Sequence, residues 1–194
     1  DNCADSTETS ILEIGPGIGP LTTELALRYK QVVALEIDHG LIPVLKYTLG
    51  EFGNVTVYNE DVMKADLDTL LKPYFEAGSV SVCANLPYYI TTPILMRLLE
   101  SGVKFDTITV MVQKEVAARL SAKPGSSDYG AITAAVSYYS KAEKLFTVGP
   151  GNFIPLYANF SRAHASVAYH SHMLYLEVWL EMGLLGIVSF LGMY

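Results

Sequence analysis

The sequence predicts a doubly wound α/β domain built on a mostly parallel sheet. Two observations carry that prediction. Short apolar runs rich in Val and Ile alternate with segments of helical periodicity over residues 10–155, the pattern of a parallel sheet covered on both faces. The first of these runs passes directly into a glycine-rich turn and then a helical segment. That strand–turn–helix order suits a nucleotide-like ligand.

The elements follow in order. Strands are expected at Ser10–Ile14, Gln31–Ile37, Asn54–Tyr58, Val80–Ala84 and Thr107–Val112. Each is short and apolar, as a strand buried on both faces must be. Leu21 and Leu25 mark a first helix, Leu41, Val44, Leu45 and Leu49 a second, and Leu67, Leu70, Leu71 and Tyr74 a third. Pro93 opens a fourth, where a missing N–H costs nothing, and Leu95, Leu98 and Leu99 follow on one face. A fifth is expected from Lys114 to about Ala122, then a loop at Lys123–Asp128. Ile132, Ala135, Val136 and Tyr139 mark another helix, and Glu143–Val148 a sixth strand. The domain is expected to span residues 1–155, with residues 156–194 an unrelated apolar tail. Leu174–Tyr194 is almost wholly apolar, broken by Glu177 and Glu181. It reads either as a buried helix or as a membrane-type helix, and its uncharged stretch Met182–Tyr194 falls short of the ~20 apolar residues of a bilayer span.

Composition bounds the function. With 51% hydrophobic and 17% charged residues, most of the chain is expected to fold. The two cysteines, Cys3 and Cys83, make neither a disulfide framework nor a zinc spacing, so no metal is expected. A reducing cytoplasm is favoured, and the start carries no signal-peptide pattern. The net charge of -7 speaks against nucleic-acid binding, because phosphate-neutralising proteins usually carry a basic surface.

Four signals carry chemistry. Glu13-Ile-Gly-Pro-Gly-Ile-Gly19 lies between a strand and a helix, so Gly15, Gly17 and Gly19 let the backbone turn sharply and approach a ligand closely. Glu36 ends the second strand, about 20 residues beyond those glycines, where a carboxylate accepts from ribose hydroxyls. Asp61 follows the third strand and is placed to accept from an adenine amino group, although an Asp there is more often a turn residue. The fourth signal is Asn85-Leu-Pro-Tyr88, directly after the fourth strand. An adenine amine is a poor nucleophile because its lone pair is delocalised into the ring. Two acceptors, the Asn85 side-chain oxygen and the Leu86 carbonyl, would localise that pair by holding the amino hydrogens and stabilise the nitrogen as it gains positive character. Pro87 biases Leu86 toward extended geometry, which helps aim its carbonyl. Tyr88 offers a flat face to a flipped-out base, worth roughly 1–3 kcal/mol per base. Phe153 is a candidate second stacking residue and equally an ordinary buried aromatic. Gln113, Lys114, Glu115, Arg119, Lys123 and Tyr129 are weaker RNA contacts, each as readily a solvated surface residue.

Taken together, Glu13 to Gly19, Glu36, Glu60-Asp-Val62, Asn85-Leu-Pro-Tyr-Tyr-Ile-Thr-Thr-Pro93, Val112-Gln-Lys-Glu115, Tyr129-Gly130 and Phe153-Ile-Pro155 resemble the ribosomal RNA adenine N6,N6-dimethyltransferases. That family modifies two adjacent adenines near the 3′ end of small-subunit rRNA during ribosome maturation. The resemblance implies a Rossmann-like, S-adenosylmethionine-dependent methyltransferase. It implies that Gly15, Glu36, Asp61 and Asn85 contact S-adenosylmethionine and that Leu86 and Tyr88 hold the base. It also implies two successive direct methyl transfers, each leaving S-adenosylhomocysteine, with immature small ribosomal subunits as partner.

The chain also departs from that family. A basic N-terminal arm with an Asn-Phe-Gly-Gln-like motif is not found in it. Nor is the Pro-x-Val-Asp-Ser strand that completes the family's sheet, or its C-terminal helical domain. The sheet is therefore expected to be unfinished, with an exposed strand edge. Around His170-Ser-His-Met-Leu-Tyr-Leu-Glu177 and Glu181-Met-Gly-Leu-Leu-Gly186 the tail is weakly similar to the membrane-embedded O-antigen ligase and polymerase family. His170 and His172, two residues apart, are poorly spaced for a joint metal site on a helix. Four alternatives stay open at this point. They are a non-catalytic RNA-binding assembly factor on the same fold, a large-subunit rRNA adenine methylase, an NAD-dependent oxidoreductase and, for the tail alone, a membrane glycan enzyme.

Overall fold

A computed structural model describes residues 8–87, 89–144 and, as backbone, 153–159. Its strands are β1 (Thr9–Ile14), β2 (Gln31–Leu35), β3 (Val55–Tyr58), β4 (Ser79–Asn85), β5 (Thr107–Gln113), β6 (Lys141–Lys144) and β7 (Phe153–Asn159). They form a seven-stranded sheet in the order β3-β2-β1-β4-β5-β7-β6. The first five run parallel. β7 lies antiparallel between β5 and β6. The helices are α1 (Pro20–Ala26), α2 (Ile42–Thr48), α3 (Leu67–Glu76), α4 (Thr91–Glu100), α5 (Lys114–Leu120) and α6 (Ala131–Tyr139).

Side chains alternate across the sheet, so each strand feeds two apolar layers. On one face Leu12, Val33, Leu35, Val82, Ile108 and Val110 pack with Leu71 of α3, Leu95 and Leu98 of α4, and Phe105. The Phe75 and Phe105 rings meet there at a centroid separation of 6.3 Å. On the other face Ile11 and Val32 pack under Leu21, Leu25 and Ala26 of α1. Both layers are needed because a parallel strand exposes apolar residues on each side. The sheet therefore holds the carboxyl ends of β1, β2 and β4 in fixed register, and those ends carry the glycine turn, Glu36 and Asn85.

The structure differs from the expected elements at several points. β2 ends at Leu35, not Ile37. There the Glu36 side chain accepts from the Asp38 N–H at 2.8 Å, and Asp38 caps a short 3-10 turn at His39–Leu41 by accepting from Gly40 N–H at 2.8 Å. The Glu36 N–H still donates to the Tyr58 carbonyl at 3.0 Å, and from Asp38 onward these local bonds turn the chain away from the ladder. The fifth helix closes at Leu120, before the expected Ala122. The sixth strand begins at Lys141 rather than Glu143.

The largest correction concerns β7. The sheet was expected to lack its completing strand, yet β7 fills that place. Its backbone pairs from Gln113↔Phe153 to Thr107↔Asn159 with β5, and from Lys144↔Leu156 to Lys141↔Asn159 with β6. It crosses the expected boundary after residue 155. Pro155 lies just beyond the described end of the β6 ladder, a margin where a missing N–H is tolerated. The expected tail helix in Leu174–Tyr194 lies outside the described residues, as do His170 and His172. Among the described residues no helix is long and apolar enough to cross a membrane.

Candidate active site

Strand order reverses beside β1, with β2 on one side and β4 on the other. Ligands of open α/β sheets lie in the crevice beyond the strand ends at such a switch point. The glycine turn fills this position. Gly15, Gly17 and Gly19 have φ of 70°, 61° and 97°, all in the region that disfavours a side chain. A Cβ at Gly17 would meet nothing within 4 Å, so the backbone there faces open space. At Gly19, the N-cap of α1, a Cβ would lie 3.2 Å from the Thr48 Oγ1 and 3.3 Å from Leu49. The first position keeps room for a ligand and the second lets α1 seat against α2.

Glu36 is 4% exposed, and its carboxylate crosses over the end of β1. Oε2 accepts from Gly17 N–H at 3.1 Å and Oε1 from Asp38 N–H at 2.8 Å. This ties the glycine turn to the end of β2. A carboxylate has about four acceptor positions, so the expected ribose contacts can still be made. Asn59 reinforces the corner by donating to the Glu36 carbonyl at 2.7 Å.

Asp61 is held as a turn residue. Oδ1 accepts from Met63 N–H at 2.9 Å, and Oδ2 stands 3.6 Å from the Lys64 Nζ. Any contact to an adenine amine would share an oxygen already in use. One residue unforeseen in the sequence is Ile37, directly after Glu36 and 69% exposed. An apolar side chain left in solvent beside the carboxylate expected to accept from a ribose suits the flat face of a purine. Its visible signal was an Ile following a strand-ending acid, read instead as part of the strand.

Across the switch point, Ile14 pairs with Ala84. The next residues are Gly15 on one strand and Asn85 on the other, so Asn85 stands beside the glycine turn. Asn85 is half-buried. Among the described residues nothing hydrogen-bonds its side-chain amide, and the Leu86 carbonyl takes no backbone donor. The Pro87 carbonyl, in contrast, accepts from Ile90 N–H at 3.1 Å and from the Thr91 hydroxyl at 3.0 Å. The Leu86 side chain is 2% exposed and belongs to the core, which anchors this segment. Two acceptors thus remain unspent where β4 ends and the next segment begins. Tyr88 lies outside the described residues. Phe153 begins β7 opposite Gln113, which places its backbone at the same end of the sheet as the site. Gln113 is the N-cap of α5, whose first turn holds Lys114 and Glu115 and whose last turn holds Arg119.

Glu13 is 1% exposed, with Oε2 unpartnered. Burial pushes its carboxyl up to about 7; the nearby Thr22 hydroxyl pulls the other way, and the Glu36 charge adds to the rise. The Thr22 hydroxyl itself closes no hydrogen bond of standard geometry. Beside Glu13 on β4, burial first and the Glu13 charge second push the Cys83 thiol up to about 12, so Cys83 stays neutral. Among the described residues no group of three or more His, Cys, Asp or Glu side chains can hold a metal ion.

A doubly wound sheet with an antiparallel strand near one edge, a glycine turn after β1 and a carboxylate after β2 defines a fold class. It is that of the Rossmann-like, S-adenosylmethionine-dependent methyltransferases. The residues fit such a cofactor: open space over Gly17, a buried carboxylate with acceptor positions to spare, and an orphaned carboxylate oxygen beneath. Residues 4–159 match the family model described as ribosomal RNA adenine dimethylase, and the chain belongs to that family. It is 54% identical over 145 residues to a "Ribosomal RNA small subunit methyltransferase A" of Alkaliphilus metalliredigens, covering 75% of this chain and 50% of that protein. It is 53% identical over 151 residues to the protein of that name in Ligilactobacillus salivarius, covering 77% and 51%. The chain thus spans about half the length of the curated relatives it matches. Among solved structures, a dimethyladenosine transferase from Plasmodium falciparum aligns with a TM-score of 0.65 at 27% identity, over 78% of this chain and 56% of that one. The 23S rRNA methyltransferase ErmE aligns with a TM-score of 0.65 at 25% identity, over 97% and 77%.

Proposed function

We propose that this chain carries the catalytic domain of an enzyme that dimethylates N6 of adjacent adenines in small-subunit ribosomal RNA, in the cytoplasm. The observation that carries the reading is the pair of unspent acceptors after β4, set beside the glycine turn. The curated relatives named for the small subunit favour that RNA over the large-subunit alternative. Membership of the dimethylase family displaces the NAD-dependent oxidoreductase.

S-adenosylmethionine, when bound, supplies a methyl carbon on a positively charged sulfur. The backbone at Gly15 and Gly17 receives it closely, Glu36 accepts from its ribose, and Ile37 covers one face of its purine. Glu13, Gly19, Asp61 and Asn85 complete the cofactor-binding set, with Asp61 sharing its turn oxygens. Asn85 and Leu86 accept the two amino hydrogens of the target adenine and direct its lone pair toward the glycine turn. Their oxygens also stabilise the positive charge that grows on nitrogen, which is greater in the transition state than before it. Tyr88 and Phe153 stack on the base and hold it in the plane the acceptors require. No general base is needed before transfer, because the amine proton becomes acidic only after the new bond forms.

Incorporation of labelled methyl groups into immature small subunits tests this reading. Asn85→Ala is expected to lower the rate by roughly 10²–10³-fold, as loss of one oriented transition-state partner does. Because Asn85 is also a cofactor contact, binding of S-adenosylhomocysteine should weaken in that variant, but by much less than the rate. Cofactor and RNA binding by the unaltered chain with no incorporation would favour a non-catalytic assembly factor.

A further inference from the structure

Glu13 occupies the layer directly under the site. It pairs in register with Ala34 on β2 and Cys83 on β4, and side chains in register on neighbouring strands share a face. Two residues farther on, Asn85 at the end of β4 and Glu36 just past the end of β2 lie on that same face, about 7 Å higher. The Glu13 carboxyl is thus centred beneath the floor that the glycine turn, Glu36 and Asn85 enclose. Its Oε2 has no partner although the residue is 1% exposed. A buried carboxylate with an orphaned oxygen is costly as an anion. Facing groups offer no compensating cation: β2 presents Glu36, β4 presents the neutral Cys83 thiol, and α1 presents the Thr22 hydroxyl.

We propose that Glu13 is a proton-exchanging countercharge to the sulfonium. It is only partly ionised in the ligand-free protein, ionises fully when S-adenosylmethionine binds, and takes a proton back once transfer has left a neutral thioether. The inference rests on the reading of this crevice as the cofactor site. It follows because the positive sulfur must stand beside the amine held at Asn85, within the layer just above Glu13. The raised pKa of about 7 puts the exchange in the physiological range. Ionised Glu13 favours the sulfonium ligand. Protonated Glu13 removes that preference, so the spent product loses nothing by leaving. A dimethylation in two steps requires that exchange of product for cofactor twice per adenine.

Isothermal titration in buffers of different ionisation enthalpy counts the protons released on binding. Near pH 7, S-adenosylmethionine is expected to release up to about half a proton more than S-adenosylhomocysteine, since a group titrates halfway at its pKa. In Glu13→Gln that excess should disappear. Subtracting the variant's values also removes protons contributed by the ligands' own amino groups. The preference for S-adenosylmethionine should grow with pH below 7, by at most tenfold per unit for one linked proton. Should Glu13→Gln fail to fold, difference infrared spectra of the wild type read the same event as loss of a carboxylic-acid carbonyl band on adding S-adenosylmethionine. Equal proton release for both ligands, or an excess that survives in Glu13→Gln, overturns the inference while leaving the cofactor reading intact. No binding of either ligand overturns both.

Discussion

At Glu13 burial works against charge, and that conflict sets a pH dependence of stability. The ordinary carboxyl value of 4.5 is raised to about 7 in the folded chain, by desolvation above all. A group whose folded pKa lies above its unfolded one contributes stability that is complete below the unfolded value. That contribution is lost as pH rises toward the folded value. Glu13→Gln keeps the shape and removes the ionisation. The variant is therefore expected to match wild type near about pH 4.5 and to exceed it above about pH 7, by about 3 kcal/mol at most. Urea unfolding across that range checks it; a variant less stable than wild type at high pH would refute the burial account. The glycine turn makes a separate prediction. Gly17→Ala meets no neighbour, so its cost is the backbone strain of positive φ, about 1–2 kcal/mol. Gly19→Ala adds contacts at 3.2 and 3.3 Å with Thr48 and Leu49 and should melt lower. S-adenosylhomocysteine binding should suffer more in Gly17→Ala, whose N–H meets Glu36. Melting curves and titrations on both variants would show whether the two effects separate in this way.

Elements differ in how openly the sequence declares them. β1 to β5 were legible because a strand buried on both faces must be apolar at nearly every position, as Val32, Val33 and Ala34 are. β6 was placed late because Lys141–Lys144 holds three charged residues and reads as loop. β7 was missed because Pro155 interrupts it and its partners are distant in sequence; only the ladders to β5 and β6 reveal it. The glycine turn, Glu36 and Asn85 were legible for a different reason: each sits at a strand end, where a polar or glycine residue breaks an apolar run. The orphaned oxygen of Glu13 and the bond between Glu36 and Gly17 were not, since both depend on which faces meet across strands. β7 also carries a prediction. Ending the chain after Pro155 removes the segment Leu156–Asn159, which pairs with both β5 and β6. That truncation is expected to lose its cooperative melting transition or its solubility. Ending it after Asn159 should retain both, together with S-adenosylhomocysteine binding, and equal behaviour of the two truncations would contradict the seating of β7.

For the whole molecule, the net charge of -7 must be reconciled with the polyanionic substrate proposed above. The two binding events in the crevice draw on different physics. In the proposed site, cofactor binding would rely on backbone groups, the buried Glu36 and the layer beneath it, where screening by salt is weak. The proposed RNA binding would rely on exposed cations, among which Lys114, Arg119 and Lys123 are the expected contributors. Each phosphate contact to a single strand contributes a slope of about −0.7 in log affinity against log salt. Three such contacts predict that raising salt from about 50 to about 200 mM weakens RNA binding roughly 20-fold. The S-adenosylhomocysteine affinity should stay within about twofold over that range. Filter binding with single-stranded RNA and calorimetry with the cofactor product, in matched buffers, measure the two slopes. If both ligands weakened in parallel, exposed charge would govern the cofactor site as well, and the buried arrangement of Glu13, Glu36 and the glycine turn would not be what binds it. If neither weakened, RNA contact would rest on stacking alone, and substituting Lys114, Arg119 and Lys123 together should then leave RNA affinity unchanged.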